Sequence, residues 1–208
     1  MSIAGVVLAA GGSRRLGSPK QLLKDNGVTL VEQAARHLLH AGCTPVFVVL
    51  GAQSEAVRNA VSMLPVQCVE NTTWERGMGT SIAVAISRLN DVRFADVQAA
   101  LIASCDMPTV NVAHLTALIA ASVARPELGV LRAASAYAGP DGSLVRGIPA
   151  VLPRADWPEL AALDGDQGAR TLHRQHGTLT VSLRDGIFDL DTQDDVARWR
   201  HKAKGERR

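Results

Sequence analysis

Aromatic side chains are scarce. Three Phe, three Trp and one Tyr make up 3% of the 208 residues. That is too few to build a stacking platform for single-stranded nucleic acid. A strong charge of either sign is also missing. Twenty-two Lys and Arg oppose 20 Asp and Glu, leaving a net charge of +2, which gives no extended polyanion-binding surface. No apolar run approaches the roughly 18 residues of a membrane-spanning helix. The start, Met1-Ser2-Ile3-Ala4-Gly5, has no basic segment ahead of its apolar run and reads as a strand, so the expected location is the cytoplasm, with no membrane partner. Cysteine is sparse, and no two of Cys43, Cys68 and Cys105 stand at a metal-ligand or redox spacing. They read as small buried hydrophobes.

What is present is an alternation of short β-branched runs with helical stretches. "IAGVVLAA" (3–10), "PVFVVLG" (45–51), "PVQCVE" (65–70) and "VQAALIASCDMP" (97–108) read as buried strands. Between them lie helical patterns. Thr29 to Ala41 carries Leu30, Ala34, Leu38 and Ala41 on one face; a second helix starts at Ser54 as N-cap, and a third follows Gly79 with Thr80 or Ser81 as cap. His114 to Ala124 is a fourth. Past Pro126 the alternation weakens into a strand near Leu128 to Ala133, a turn over 138–143, the strand "LVRGIPAVLP", two short helices flanking 163–170, and "TLTVSL". A strand end at "IFDLDT" and a closing helix complete the chain. Repeated strand–helix units imply one α/β domain over 1–198. Its Rossmann-like sheet is mostly parallel but mixed, with helices on both faces. Residues 199–208 read as a frayed basic tail.

The chemistry concentrates at strand ends, where open parallel sheets bind ligands. Directly after the first strand come Gly11, Gly12, Ser13, Arg14, Arg15, Gly17 and Lys20. Glycines let successive N–H groups turn toward an anion, and an arginine fork with a lysine point charge suits phosphates. The spacing is neither G-x-x-x-x-G-K-[ST] nor G-x-G-x-x-G. Asp106 ends a central strand, and Asp189 and Asp191 share a face if their segment is extended. Such hard oxygen ligands suit Mg²⁺, which takes one or two carboxylates plus substrate phosphates. Trp74 borders this region and could stack on a ring, whereas the six scattered histidines receive no role.

"LAAGGSRRLGSPKQLL" (8–23) resembles the L-A-A-G-x-S-x-R-M-G-x-x-K-x-L-L signature of GT-A-type nucleotidyltransferases. Within them the chain is most similar to the molybdenum cofactor cytidylyltransferases, relatives of the guanylyltransferases. "NTTWERGMGTSIAVAI", "CDMP", "GIPAVL", "GDQGAR" and "FDLDTQDD" extend the likeness over nearly the whole chain. Leu16 replaces the usual methionine. The resemblance implies that Leu8, Ala9, Ala10, Gly11, Gly12, Ser13, Arg15 and Lys20, with Gly77, Met78 and Gly79, bind the nucleotide. Lys20, Arg15 and Asp106 are then catalytic, and Asp106, Asp191 and Asp189 hold Mg²⁺. Ala9-Ala10-Gly11, where guanylyl members carry L-A-G-G, implies CTP. Gly147, Pro149, Asp166, Gly168 and Arg170 would face a phosphorylated pterin, with a molybdenum hydroxylase receiving the product. Another phosphorylated acceptor, such as a sugar phosphate, and a non-catalytic cofactor chaperone stay open as alternatives.

Overall fold

A computed structural model describes residues 2–138, 143–166, 177–183 and 189–205. Its centre is a seven-stranded sheet in the order β5-β4-β1-β6-β8-β7-β9. The strands are β1 (Ser2–Leu8), β4 (Val46–Leu50), β5 (Gln67–Glu70), β6 (Val97–Ser104), β7 (Ala133–Ala138), β8 (Leu144–Pro153) and β9 (Leu179–Ser182). Lys24–Asp25 (β2) and Val28–Thr29 (β3) form a separate hairpin. Pairs β1–β4, β1–β6, β4–β5 and β7–β9 are parallel, and β8 runs against both β6 and β7. The fold is thus a single α/β domain with a mixed, mostly parallel sheet.

Strand alternation sends side chains into two cores. Ile3, Val7 and Ala9 face one side, together with Val46, Val48, Leu50, Leu101 and Ala103. Against them pack α1 (Leu30–His40), α2 (Ser54–Ala60) and α4 (Val112–Ser122), through Val31, Ala35, Leu38, Val57, Leu115 and Leu118. Ala4, Val6, Leu8, Phe47, Val49, Ala100 and Ile102 face the other side. There α3 (Met78–Leu89) and α5 (Trp157–Ala161) contribute Ile82, Ala85, Ile86, Leu89, Trp157 and Leu160. Because neighbouring residues of one strand serve opposite cores, the runs are continuously apolar, as expected for a sheet covered on both faces.

A third, smaller cluster decides where the chain's last segment goes. Leu16 and Leu30 pack with Leu190, Val196 and Trp199, the last two on α6 (Gln193–Gly205). The Gln193 side-chain amide also donates to the Leu16 carbonyl at 2.7 Å. This cluster docks the C-terminal helix onto the glycine-rich loop. Trp199 is only 8% exposed and α6 continues to Gly205, so the helix extends past the boundary at 198 read from the sequence.

Several local expectations need correction. Gln53, not Ser54, precedes α2, and no side chain caps it. Helix α3 begins at Met78 after Gly77, so Thr80 and Ser81 are inside it; their hydroxyls accept from the Asn71 amide at 2.8 and 3.0 Å. Pro126–Leu128 is a 3-10 turn ended by Gly129, and the strand starts later, at Ala133. Proline at the first position favours such a turn, since its φ is preset and no N–H is lost. Residues 189–191 are not strand. Parts of the turn over 138–143 and of the stretch 163–170 lie outside the described residues. No described helix is long and apolar enough to cross a membrane.

Candidate active site

The sheet register brings two remote segments together. Leu8 pairs with Ser104, so the chain after β1 and the chain after β6 leave the same end of the sheet side by side. The first becomes the glycine-rich loop and the second delivers Cys105 and Asp106. The cluster around Leu16 and Trp199 adds a third segment, because Leu190 hangs its backbone N–H on the Asp106 carbonyl at 3.2 Å. Asp191 follows directly.

The loop is shaped from within. Ser13 has φ 49° and Gly17 φ 74°, and the Ser13 carbonyl accepts from the N–H groups of Leu16 and Gly17. Gln21 is 1% exposed; its amide donates to the carbonyls of Ala9 at 3.0 Å and Gly11 at 2.6 Å. Those bonds turn the carbonyls toward Gln21. Among the described residues, nothing accepts from the N–H groups of Gly11, Gly12, Ser13, Arg14 or Arg15. Gly11, Gly12, Arg14 and Arg15 are exposed, so these donors are free for solvent or for a ligand, and a run of such donors beside a cavity has the form that binds anions.

That cavity measures about 400 Å³. Leu8, Ala9, Ala10, Gly11, Gly12, Ser13, Arg15 and Lys20 line one side, and Asp106 and Asp191 line another. Gly77, Met78 and Asp166 close a third. Trp74 lies over the loop: a Cβ on Gly12 would stand 2.9 Å from its ring, and a Cβ on Gly51 would collide with Ala10 and with the same ring. Gly77, at φ 129°, is held against Gly165 so closely that a Cβ would overlap its backbone. Gly79 donates to the Gly165 carbonyl at 2.9 Å, and Arg76 pairs with Asp164. Residues 164–166 are thereby strapped to the start of α3, which carries Asp166 to the cavity.

At the floor, Lys20 Nζ donates to Asp106 and, at 3.2 Å, to Asp191 Oδ1. Arg15 donates to the other Asp191 oxygen at 2.7 Å, and Ser104 Oγ to the other Asp106 oxygen. The Lys20 and Asp106 side chains are 17% and 12% exposed. Burial by itself lowers the pKa of Lys20, but the two carboxylates outweigh it and hold the ammonium above the ordinary lysine range. Burial, reinforced by the Asp106 carboxylate, pushes the Cys105 thiol far up, so it stays protonated and inert. Asp106 and Asp191 are two hard oxygen donors brought to one cation, and this donor set fits Mg²⁺ with phosphates as its remaining ligands. No group of three or more His, Cys, Asp or Glu converges among the described residues.

Other residues expected at the site fall elsewhere. Asp189 is exposed and not among the cavity's lining residues. Gly79 lies one residue behind the lining Met78, and its N–H is spent on Gly165. Gly147 and Pro149 are on β8, outside the lining. There the Pro149 carbonyl accepts from Ser135, whose hydroxyl also meets His114 Nε2 at 2.8 Å. Gly168 and Arg170 lie outside the described residues. Gln21, Ser81 and Ser104 escape the sequence reading. For Gln21 a signal existed: one uncharged polar residue inside the apolar turn "KQLL".

Residues 5–180 match the MobA-like NTP transferase domain family. The chain is 37% identical over 198 residues to nicotine blue oxidoreductase of Paenarthrobacter nicotinovorans, covering 93% of this chain and 91% of that protein. It is 31% identical over 112 residues to a probable molybdenum cofactor guanylyltransferase of Opitutus terrae, covering 54% and 52%. Rv0371c of Mycobacterium tuberculosis H37Rv superposes with a TM-score of 0.78 at 29% identity, over 96% of this chain and 97% of that one. A manganese complex of the same protein superposes at 0.73 and 28% identity, over 95% and 97%.

Proposed function

The chain belongs to the MobA-like NTP transferase domain family, and from that premise we propose that it transfers CMP from CTP to the terminal phosphate of a molybdopterin-type acceptor. Pyrophosphate leaves. The observation that carries this reading is the meeting of Arg15, Lys20, Asp106 and Asp191 against open backbone donors in one cavity. Nucleotide transfer needs that set: cations for a triphosphate and carboxylates for its metal.

An oxygen of the acceptor phosphate attacks the α-phosphorus of CTP while the bond from that phosphorus to the pyrophosphate oxygen breaks. The acceptor oxygen is already anionic, so no side chain has to remove a proton. The protein's contribution is positioning and charge neutralisation. Backbone N–H groups of 11–15 cradle the phosphates, and Lys20 and Arg15 stabilise the charge gathering on the leaving group. Asp106 and Asp191 would hold a Mg²⁺ ion, which would add to the neutralisation of the phosphates; a structural relative has been solved with manganese. Asp189, the third metal ligand the resemblance implies, would have to turn inward from its exposed position to join Asp106 and Asp191. The choice of cytosine rests on Ala9-Ala10-Gly11, the opening that the resemblance ties to pyrimidine users. Asp166 faces the acceptor, and Gly147, Pro149, Gly168 and Arg170 would complete its contacts. A molybdenum hydroxylase is the natural recipient of the product.

The test is pyrophosphate release with each of the four NTPs, Mg²⁺ and phosphorylated pterin. Release specific to CTP supports the reading. Release only with a sugar phosphate would replace the acceptor, and none with any pair would favour a carrier of the cofactor. A second reading, redox chemistry on a ring compound, is favoured by the 37% identity to nicotine blue oxidoreductase. Oxidation of NADH or NADPH by nicotine blue, with no pyrophosphate from any NTP, would establish it instead.

A further inference from the structure

We propose that Lys20 acts as an internal cation that occupies the metal-binding carboxylates of the nucleotide-free protein, and that a divalent ion and a triphosphate displace it cooperatively. The inference rests on the transferase reading and concerns how that site loads.

Every cation of the loop is paired across the cavity. Arg14 meets Glu75 at 3.3 Å, Arg15 meets Asp191 at 2.7 Å, and Lys20 bridges Asp106 and Asp191. Ser104 occupies the second oxygen of Asp106. All four oxygens of the two carboxylates are therefore engaged. A divalent ion arriving alone would have to enter beside a half-buried ammonium or expel it from both partners. Either step is costly, since breaking a pair this shielded from water leaves a carboxylate or the ammonium poorly compensated. A triphosphate arriving alone would face carboxylates already neutralised by the cations it needs. Arriving together, each ligand takes the partner the other releases: phosphate oxygens receive Lys20 and Arg15, and the metal receives Asp106 and Asp191. The two affinities are then coupled, and the coupling is reciprocal.

Manganese binding measured by electron paramagnetic resonance, without nucleotide, reads this directly. Lys20→Met removes the internal cation and is expected to tighten Mn²⁺ binding about 5- to 150-fold, the usual span of coupled sites. Lys20→Arg keeps a cation in place and should bind like the wild type. Equal Mn²⁺ affinity in wild type and Lys20→Met overturns the proposal. Should Lys20→Met fail to fold, wild-type crystals soaked with Mn²⁺ and α,β-methylene-CTP decide. Lys20 Nζ is expected on a phosphate oxygen, and finding it still on Asp106 overturns the exchange. Pyrophosphate release is scored separately, so loss of the transferase reading is not confused with loss of the exchange.

Discussion

Lys20 and Asp106 are each other's main partner in a site where little water reaches either, so a substitution at one exposes the other. Asp106→Ala still leaves Lys20 with Asp191 at 3.2 Å. The expected outcome is a folded protein, with unchanged circular dichroism, that releases no pyrophosphate. Lys20→Ala loses a charged contact to phosphate, which corresponds to about 10- to 150-fold in kcat/KM. Wild-type rates in either variant would remove that residue from the proposed machinery. Gly77 is a different case, because its backbone is what matters. Its φ of 129° suits glycine, and a methyl there would drive into Gly165. Gly77→Ala is expected to cost about 1–3 kcal/mol for the backbone conformation. It should also weaken nucleotide binding, because Gly77 itself lines the cavity and must shift to admit the methyl. Urea denaturation measures the first effect and a nucleotide titration the second. A variant with wild-type stability would show that the strap is slack.

Helix α6 works as a unit, and its start is what aims Asp191. Thr192 and Asp195 form a reciprocal cap. The Thr192 N–H donates to Asp195 at 2.8 Å, and the Asp195 N–H donates to Thr192 Oγ1 at 3.2 Å. The Asp191 N–H reaches the same carboxylate at 3.3 Å. The Thr192 hydroxyl bond, aided by its N–H and by Arg198, lowers the Asp195 pKa to about 2. The folded value is depressed, so the stabilisation is complete above the ordinary aspartate range, near 4, and vanishes as pH falls through about 2. Thr192→Ala should cost about 1 kcal/mol, and Asp195→Asn should flatten the stability–pH curve below pH 4. An acid melt of both variants against wild type checks this; parallel curves would mean the cap is idle. Elements of this kind were partly legible in the sequence. The helical pattern read from Thr29 onward is α1, and Thr29, to which the sequence reading gives no cap role, caps it by accepting from the Glu32 N–H at 3.3 Å. The caps assigned to Ser54, Thr80 and Ser81 failed for a tertiary reason in α3. Asn71 recruits both of its hydroxyls from 9 and 10 residues away, and a local pattern does not contain that competition.

At the scale of the molecule, the sheet and the first loop were readable because continuous apolar runs and a glycine–cation cluster are local signals. The meeting of 104–106 with 189–191 was readable only as chemistry: two acids suited to one metal. Its physical cause is the packing of Leu190 and Trp199 against Leu16 and Leu30, a long-range contact no window reveals. Gly147 and Pro149, which the resemblance assigns to the acceptor, sit on β8 beyond the lining of the nucleotide cavity. A ligand that spans loop, strap and C-terminal segment binds only the folded chain, so it must raise the melting temperature by mass action. At 100 times its dissociation constant the gain is about 2.7 kcal/mol, or roughly 5–10 °C for a chain of this size. With Mg²⁺ present, CTP should give the largest shift of the four NTPs. Chelating the metal should remove most of it, because the triphosphate alone cannot offer Asp106 and Asp191 a new partner. A GTP shift exceeding that of CTP would overturn the base assignment. A CTP shift of equal size with and without Mg²⁺ would mean that the phosphates are held by the loop alone, and that the carboxylates play no part in recognising the nucleotide.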